Sequence, residues 1–404
     1  MNPFVPLRDR DFRLYFVGEA LSFFGSGLSL VALNWYLLDR TGSASAVGAY
    51  YGVALSAGLV AYPLSGPIAD RFPRRVVAIA ADLVRLLSLG ALAALSWFGD
   101  PPLLAIYASA FVTGLGFALF FPAIIAFLQE IVSGEQLVAA NGLSEVTTQL
   151  GNVTGAAAAG FALEHLGLSA VLTIDAATYA VSALALGAVR HRSLPEAAHA
   201  PMLAMLREGG RYLRSHPAVA AFGVVSIVPT VATITSNVVL VTYVLRVLHR
   251  GSTVYGIADM MYGVGALSAG FLAALVVLRL GEWAAMATLL VSLVAGYLAF
   301  MLEPHLLVVV FAMTAAIGFC SSAFRVTANS TLMRVVPGAV MGRTAAAFGI
   351  STTLLQVASA IAIGPLIENG GARAGFLLLA GLIVGATLLL AVAAPRLRRP
   401  LEAA

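Results

Sequence analysis

Apolar segments of 20 or more residues recur along the whole chain and are separated by short polar connections. A helix needs ~20 residues to cross a hydrocarbon layer of ~30 Å, so each segment is long enough to span a membrane. Backbone groups must be hydrogen-bonded within hydrocarbon, which predicts that every span is helical. The predicted spans cover roughly residues 14–38, 46–69, 76–98, 102–130, 141–163, 168–189, 218–245, 254–279, 283–302, 305–333, 344–367 and 374–394. The pattern therefore predicts an all-α membrane protein with twelve transmembrane helices.

The distribution of arginine predicts the orientation of these spans. All 23 basic residues are arginine. Seventeen lie at the termini or in the loops that follow even-numbered spans, four lie in the opposite loops, and Arg85 and Arg325 fall inside spans. Because cytoplasmic loops carry the excess of basic residues, both termini are predicted to be cytoplasmic.

A polar stretch divides the spans into two groups of six. The predicted domains are an N-terminal bundle of residues 1–189, a cytoplasmic linker of 190–216 with an amphipathic piece around Met205–Leu213, and a C-terminal bundle of 217–404.

The two halves also look duplicated. At one constant offset of 204 residues, Glu164 corresponds to Glu368 and Gly167 to Gly371, together with further pairs over more than 50 residues. Duplication of this kind predicts two pseudo-symmetric six-helix bundles.

The composition agrees with a membrane protein and excludes several other classes. Only 10% of the residues are charged, against roughly 25% in soluble domains, and the mean hydropathy is +0.95. The formal charge of +4 does not indicate nucleic-acid binding, because the arginines do not cluster. The single cysteine, Cys320, excludes an internal disulfide. The sequence contains no nucleotide-binding loop, zinc motif or cysteine–histidine cluster, so it predicts neither an ATP-driven pump nor an enzyme, and no cofactor or metal ion.

The connection between spans 2 and 3 contains a recognisable motif. Its sequence is Gly66-Pro-Ile-Ala-Asp70-Arg71-Phe-Pro-Arg74-Arg75. This resembles the loop between helices 2 and 3 of the major facilitator superfamily, G-x-x-x-D-R-x-x-R-R. The resemblance implies two bundles that rock around a substrate cavity near the membrane midplane, a mechanism called alternating access.

The same resemblance implies a gating role for this loop. Asp70 matches the family aspartate that faces the start of helix 11, since a carboxylate is favoured near the positive end of a helix. The arginines are expected to pair with acids at neighbouring helix ends, Glu130 first among them. The alternative is a solvated loop whose arginines only set the topology. The predicted gating residues of this region are Gly66, Asp70, Arg71, Arg74, Arg75 and Glu130.

Other segments are similar to the drug:proton antiporter branch of the superfamily, which includes macrolide and siderophore exporters. These segments include Asp11-Phe-Arg13 through Thr41-Gly-Ser43, Pro122-Ala123 and Asp175-Ala176. Membership of that branch implies proton-coupled efflux of small amphipathic compounds.

Span 5 contains glycines that resemble an antiporter signature, G-x8-G-x3-G-P-x-x-G-G. They are Gly142, Gly151, Gly155 and Gly160, with Ala156 in place of the proline. In exporters the signature implies a bend and a close contact that seal the inward end, so the last three glycines join the predicted gating residues. Small residues every four positions also favour the tight packing of any helix pair, and both interpretations stay open.

Ionisable side chains inside the spans indicate the coupling chemistry, because they are costly in hydrocarbon and usually face a cavity or a partner. Arginine does not release its proton in proteins, and all six histidines lie in loops or at span ends. A carboxylate is therefore expected to carry the coupling proton. Glu19 is preferred because span 1 lines the cavity in the family, and because Ser22, Phe23 and Ser26 follow it on one helical face. A structural carboxylate is the competing interpretation.

Asp259 and Glu145 are the alternative proton carriers. Arg325 is expected to pair with Glu19 or to hold an anionic group of the substrate, although a structural ion pair explains it nearly as well. Asp82 and Arg85 are predicted to form a local ion pair. The predicted substrate-binding residues are Glu19, Ser22, Phe23, Ser26, Asn34, Phe120, Asn237, Arg325, Asn329 and Gln356.

The expected partners are a small-molecule substrate, protons and the lipid bilayer, with no nucleic acid. The protein is expected to act as a monomer in the cytoplasmic membrane of a bacterium. Two other functions compete: a lysophospholipid flippase or an importer without proton antiport, and a non-transporting membrane receptor. The receptor is disfavoured because the loop and the intramembrane carboxylates would then have no role. The fold does not supply the identity of the substrate.

Overall fold

Helices make up the regular structure of the parts of the chain that a computed structural model describes, which are residues 5–133, 136–191, 202–302 and 306–402. A one-turn 3-10 helix, Val5–Arg8, precedes the first long helix. The helices are α1 (Arg10–Thr41), α2 (Ala44–Arg71), α3 (Arg74–Phe98), α4 (Leu103–Ile131), α5 (Leu137–Ala188), α6 (Met202–Ser215), α7 (Pro217–Arg246), α8 (Ser252–Leu280), α9 (Glu282–Phe300), α10 (Leu307–Val335) and α11 (Gly338–Glu402). The predicted all-α membrane fold is confirmed.

Ten of the helices in the described ranges are long and apolar enough to cross a membrane, and α6 is the short amphipathic exception. Two of the ten, α5 and α11, run for 52 and 65 residues. Each is interrupted by a glycine with left-handed backbone, Gly167 at φ 81° and Gly371 at φ 67°. Such a conformation favours glycine because a β-carbon would clash there. The predicted count of twelve is reached only when both long helices are divided at these glycines.

The two breaks lie where the sequence predicts a boundary between spans. Gly167 falls between the predicted spans 141–163 and 168–189, and Gly371 falls between 344–367 and 374–394. Gly167 and Gly371 also form one of the residue pairs that are separated by 204 positions in the duplicated halves.

Proline marks several helix starts and shortens the connections. Only Phe72 and Pro73 separate α2 from α3, Pro102 precedes α4, and α7 begins at Pro217. Proline suits these positions because its missing N–H would have no partner in the first turn of a helix.

Packing divides the chain into two units, of which the first contains Met1–Arg40, Tyr50–His199 and Gly251–Ile257. Here α3 packs against α4 and α5. A buried cluster in this unit contains Phe12 and Tyr15 of α1 together with Phe120 and Phe127 of α4.

The second unit contains Thr41–Ala49, Ala200–Arg250 and Ala258–Ala404. In this unit α11 packs against α7 and α9, and Tyr243, Phe300 and Phe376 form an aromatic cluster with ring centroids 4.7–5.7 Å apart. The linker helix α6 packs against α11.

Candidate functional site

Glu19 is a carboxylate buried in the first unit, with its side chain 3% exposed. The hydroxyl of Ser144, on α5, lies 2.8 Å from both carboxylate oxygens. Tyr15, one turn earlier on α1, donates to Oε1 at 3.2 Å. Among the described residues, the partners of Glu19 are thus two hydroxyl groups rather than a cation.

The residues that follow Glu19 on the same face of α1 are also packed inside the first unit. Ser22 and Phe23 are buried, and the Phe23 ring meets Phe117 edge-to-face with centroids 6.4 Å apart. Ser26 donates to the Ser22 carbonyl at 2.8 Å, and its hydroxyl lies 3.0 Å from that of Tyr179. A substrate-binding role for this face stays a prediction.

Two other predicted substrate residues are completely covered by protein. Asn34 is 0% exposed and donates to the Tyr51 hydroxyl at 2.6 Å. Phe120 is 1% exposed, and its ring faces the guanidinium of Arg85 at 4.3 Å. Protein therefore covers both side chains in this structure, although the Asn34 amide oxygen has no hydrogen-bond partner among the described residues. Their substrate-binding roles stay predictions. The predicted ion pair between Asp82 and Arg85 is present.

Glu145 has a different environment from Glu19, although it follows Ser144 directly. Its side chain is exposed, and Gln149 donates to it at 2.9 Å, one turn further along α5. Successive residues on a helix point about 100° apart, so Ser144 faces Glu19 while Glu145 faces away.

Glycines on α5 allow close contact with α1. A β-carbon at Gly151 would lie 2.8 Å from the β-carbon of Phe23, and one at Gly155 would overlap the carbonyl oxygen of Phe24. These approaches involve backbone, so the two helices touch directly. The contacts support the packing interpretation of both glycines, and their gating role stays a prediction.

Gly160 makes a corresponding contact with the start of α8. A β-carbon there would overlap the backbone of Ser252, and one at Gly364 would overlap the backbone of Ser45 at the start of α2. The two glycines are 204 residues apart, so the duplicated halves use the same type of contact. In the predicted orientation Gly160 lies at the outer end of its span, whereas the resemblance placed the sealing contact at the inward end.

A carboxylate accompanies each of these contacts. Thr253 donates to Glu164 at 2.6 Å. Glu368 accepts from the Ser43 hydroxyl and from the backbone N–H of Ser45 at 3.2 Å. These hydrogen bonds hold the pKa of Glu368 below its usual range. Sequence reasoning did not select Glu164 or Glu368 as functional, although the offset of 204 between them was the signal that pointed to a shared role.

The connection between α2 and α3 joins neighbouring helix ends. Arg74 pairs with Glu130, at the end of α4, at 3.1 Å, and the ring of His191 lies 3.7 Å from the same carboxylate. Glu130 is thus the acid that the sequence predicted as a partner for the arginines of this loop. The side chains of Gly66, Asp70 and Arg71 lie outside the described residues, and their gating roles stay predictions.

Arg75 contacts the end of α5 through main-chain carbonyls. It donates to Leu186 at 2.8 Å, to His191 at 3.3 Å and to Gly187. The last carbonyls of a helix have no partner within the helix, so the guanidinium stabilises this end.

In the second unit, two predicted residues line one small cavity. Asp259 and Asn237 surround a space of about 20 Å³ together with Tyr262 and Tyr297. A space of roughly 10–15 Å³ is enough for one water molecule. The cavity therefore accommodates a water or a small ion beside the Asp259 carboxylate, but no organic substrate.

Two polar side chains on α10 are exposed within a predicted span. Arg325 and Asn329 lie one turn apart. Arg325 forms no ion pair within the described part of the chain. Charged and polar side chains within a span are unfavourable in contact with lipid. Their exposure therefore indicates that this side of α10 faces water. Gln356 instead donates to the main-chain carbonyl of Thr230 at 3.4 Å.

Comparison with known proteins identifies the family. A family model described as the Major Facilitator Superfamily matches residues 15–360. The chain belongs to the Major Facilitator Superfamily. It is therefore an integral membrane protein of a family of transporters.

Relatives within the superfamily include drug exporters. The multidrug efflux pump Tap of Mycolicibacterium fortuitum is 26% identical over 391 residues, which cover 93% of each chain. The lysophospholipid transporter LplT of Photorhabdus laumondii is 35% identical over 123 residues, 30% of this chain and 29% of that one. The crystal structure of the nucleoside transporter NupG has a TM-score of 0.78 at 16% identity, covers 97% of this chain and 99% of its own, and shows the shared fold. The resemblance to the drug-exporting branch is confirmed.

Proposed function

We propose that this superfamily member is a proton-coupled exporter of small amphipathic compounds, with both termini in the bacterial cytoplasm. Bundles of residues 1–189 and 217–404 would rock around a cavity near the midplane. The observation that carries the proposal is the buried Glu19 carboxylate with its two hydroxyl partners. The similarity to a multidrug efflux pump over 93% of both chains supports export as the direction.

The hydroxyl groups beside Glu19 suit both of its protonation states. When Glu19 is ionised, it accepts from Ser144 and Tyr15. When it is protonated, its own O–H donates, and the hydroxyls rotate to accept. The same partners therefore serve both states, so Glu19 can gain or lose its proton before the helices move. An arginine in their place would favour only the ionised state.

Proton binding at Glu19 would act on the contact between two helices. The carboxylate is on α1 and Ser144 is on α5, and Gly151 and Gly155 bring these helices together further along. In the proposed cycle, a proton and a cationic or polar group of the substrate compete for Glu19, and each stabilises a different conformer. The downhill entry of protons would thereby drive substrate outwards.

Asp259 and Glu145 are second choices for the same role. Glu145 is exposed, and Gln149 donates to one of its carboxylate oxygens. An exposed carboxylate has less reason than a buried one to bind a proton near neutral pH. Asp259 has room for a water or an ion, which would let it exchange a proton without contacting the substrate.

Transport of a lipid-like compound is the second candidate function. The observation that favours it is the 35% identity to LplT over 123 residues, a higher identity than that to Tap but over a much shorter stretch. A flippase without proton antiport would move its cargo in the absence of a proton gradient, so the two functions differ in their energy source.

Inverted membrane vesicles provide the test. A proton gradient, acid inside, should drive uptake of ethidium, a fluorescent amphipathic cation, into vesicles that contain the wild-type protein. Glu19→Gln should abolish this uptake. Ethidium binding should stay measurable, because the fold and the other predicted binding residues remain, but it should lose most of its pH dependence, because the group for which protons compete is gone. Glu145→Gln is the matched control, since it removes the neighbouring carboxylate, and uptake should persist.

Three results would contradict the proposal. Wild-type uptake that continues after the gradient is collapsed would exclude proton coupling. Normal uptake by Glu19→Gln would move the proton site elsewhere. Gradient-independent movement of a fluorescent lysophospholipid, with no ethidium uptake, would favour the lipid transporter.

A further inference from the structure

A second set of ionisable groups is buried in the first unit and has no part in the proposal for Glu19. It consists of Asp82 and Arg85 on α3 and Asp175 and Tyr179 on α5, and none of the four is more than 3% exposed. We call these four residues the aspartate–arginine cluster.

The guanidinium of Arg85 makes its contacts with groups other than Asp175. It forms the ion pair with Asp82. The guanidinium also lies over the rings of Phe120 and Tyr179, each with a centroid 4.3 Å away. Gly116 on α4 leaves room for the stem of the arginine, since a β-carbon there would contact its Cγ and Cδ atoms. Packing from three directions thus directs the positive charge to Asp82.

Asp175 has no cation of its own. Thr178 lies 3.4 Å from Oδ1, and that hydroxyl has a closer acceptor, the main-chain carbonyl of Asp175, at 2.7 Å. The second carboxyl oxygen, Oδ2, is buried without a hydrogen-bond partner. Gly25 on α1 packs directly over the carboxyl group, because a β-carbon there would overlap Oδ1.

The titratable groups around Asp175 come from three helices. Arg85, the partner of Asp82, faces it from α3, Tyr179 from its own helix and Tyr50 from α2. The nearby elements α1 and α4 present Gly25, the Ser29 hydroxyl and Phe120, which carry no charge. Two carboxyl groups therefore share the surroundings of a single guanidinium.

The charge count leaves the cluster with one excess negative charge if both aspartates are ionised. A buried ion without a partner is strongly unfavourable, and a carboxyl group in that position takes up a proton instead. Asp82 forms the ion pair with Arg85, so we expect the proton to bind to the carboxyl group of Asp175.

We propose that Asp175 is a proton-binding site, held as a neutral acid beside the Asp82–Arg85 ion pair and separate from Glu19. Its position links it to the helix that carries Glu19, because Gly25 covers the carboxyl group and Ser26 bonds Tyr179. The site does not depend on the proposed transport function, since the charge count follows from the packing of the first unit.

Infrared spectroscopy of the purified protein tests this directly. The experiment uses a Glu19→Gln/Asp259→Asn background, so that these two carboxyl groups do not contribute. At neutral pH we expect a carbonyl-stretching band of a buried protonated carboxylic acid, which is lost when Asp175→Asn is added to this background and kept when Glu145→Gln is added instead. Absence of the band in the background protein, or its persistence in the Asp175 variant, would overturn the proposal.

Thermal unfolding gives a second and independent measurement. Asp175→Asn replaces a neutral acid with a neutral amide, so the melting temperature should stay close to that of the wild type. Asp82→Asn leaves the buried Arg85 charge without its partner and should lower the melting temperature markedly. Loss of folding in Asp175→Asn, or a decrease as large as that of Asp82→Asn, would mean that Asp175 is ionised and would refute the site.

Discussion

The contact between α1 and α5 depends on Gly155, and its substitution by alanine provides a sharp test of the packing. In the structure an added β-carbon would overlap the carbonyl oxygen of Phe24 and lie 2.8 Å from the backbone nitrogen of Leu28. Both are main-chain atoms of α1, so no side chain can rotate away. The helices must separate, or α1 must bend, to admit one methyl group.

Gly142 is the matched control on the same helix. An added β-carbon there meets nothing within 4 Å. In both positions alanine improves helix propensity by about 1 kcal/mol relative to glycine. That gain cancels when the two variants are compared.

The difference between the variants therefore measures the steric cost alone. Inserting a methyl group into a well-packed site costs about 1–3 kcal/mol in folding free energy. The same range corresponds to roughly 5- to 150-fold in the folding equilibrium. Gly142→Ala should be at least as stable as the wild type, and Gly155→Ala should be less stable than Gly142→Ala by this amount.

Reversible unfolding in lipid bicelles provides the measurement, with the two variants and the wild type in one lipid mixture. The reasoning would be refuted if Gly155→Ala matched Gly142→Ala in stability. That result would mean that α1 and α5 are not in direct backbone contact at this position. Export by Gly155→Ala at the wild-type rate, together with the expected loss of stability, would assign the glycine to packing rather than gating.

Two further predictions concern orientation and pH. In a Cys320→Ala background, a membrane-impermeant maleimide should label Phe72→Cys only in inverted vesicles and Asp100→Cys only in intact cells. Labelling of position 72 in intact cells would reverse the predicted topology. Ser43→Ala should lower thermal stability at neutral pH, because it removes a donor to ionised Glu368, whose pKa is below its usual range. The difference in melting temperature from the wild type should disappear as acid protonates this carboxylate. A difference that does not depend on pH would contradict the assignment.

The sequence by itself determined the spans and their helical nature, because both follow from local properties. Hydrocarbon thickness sets the length of an apolar segment, and the need to satisfy backbone groups within it leaves the helix as the solution. The loop from Gly66 to Arg75 was enough to indicate the superfamily. The pair Asp82 and Arg85 was also predictable, because a spacing of three residues places both side chains on one helical face.

The number of separate helices was only partly predictable. The positions of the breaks near Gly167 and Gly371 followed from the predicted spans. At each glycine two helices meet across a single residue with left-handed backbone. The polar residues beside the breaks, such as Glu164 and Glu368, showed where the spans end but not that the connection is this short.

Only the tertiary structure decided which groups surround each polar side chain. Ser144, the partner of Glu19, lies 125 residues away on another helix. Asn34 and Phe120 were predicted to face a substrate, yet both are covered by protein. The physical reason is that a helix apolar on all sides has no polar face to distinguish its buried side from its lipid side. The orientation of each transmembrane helix is therefore set by its packing against its neighbours, and that information lies in contacts distant along the chain.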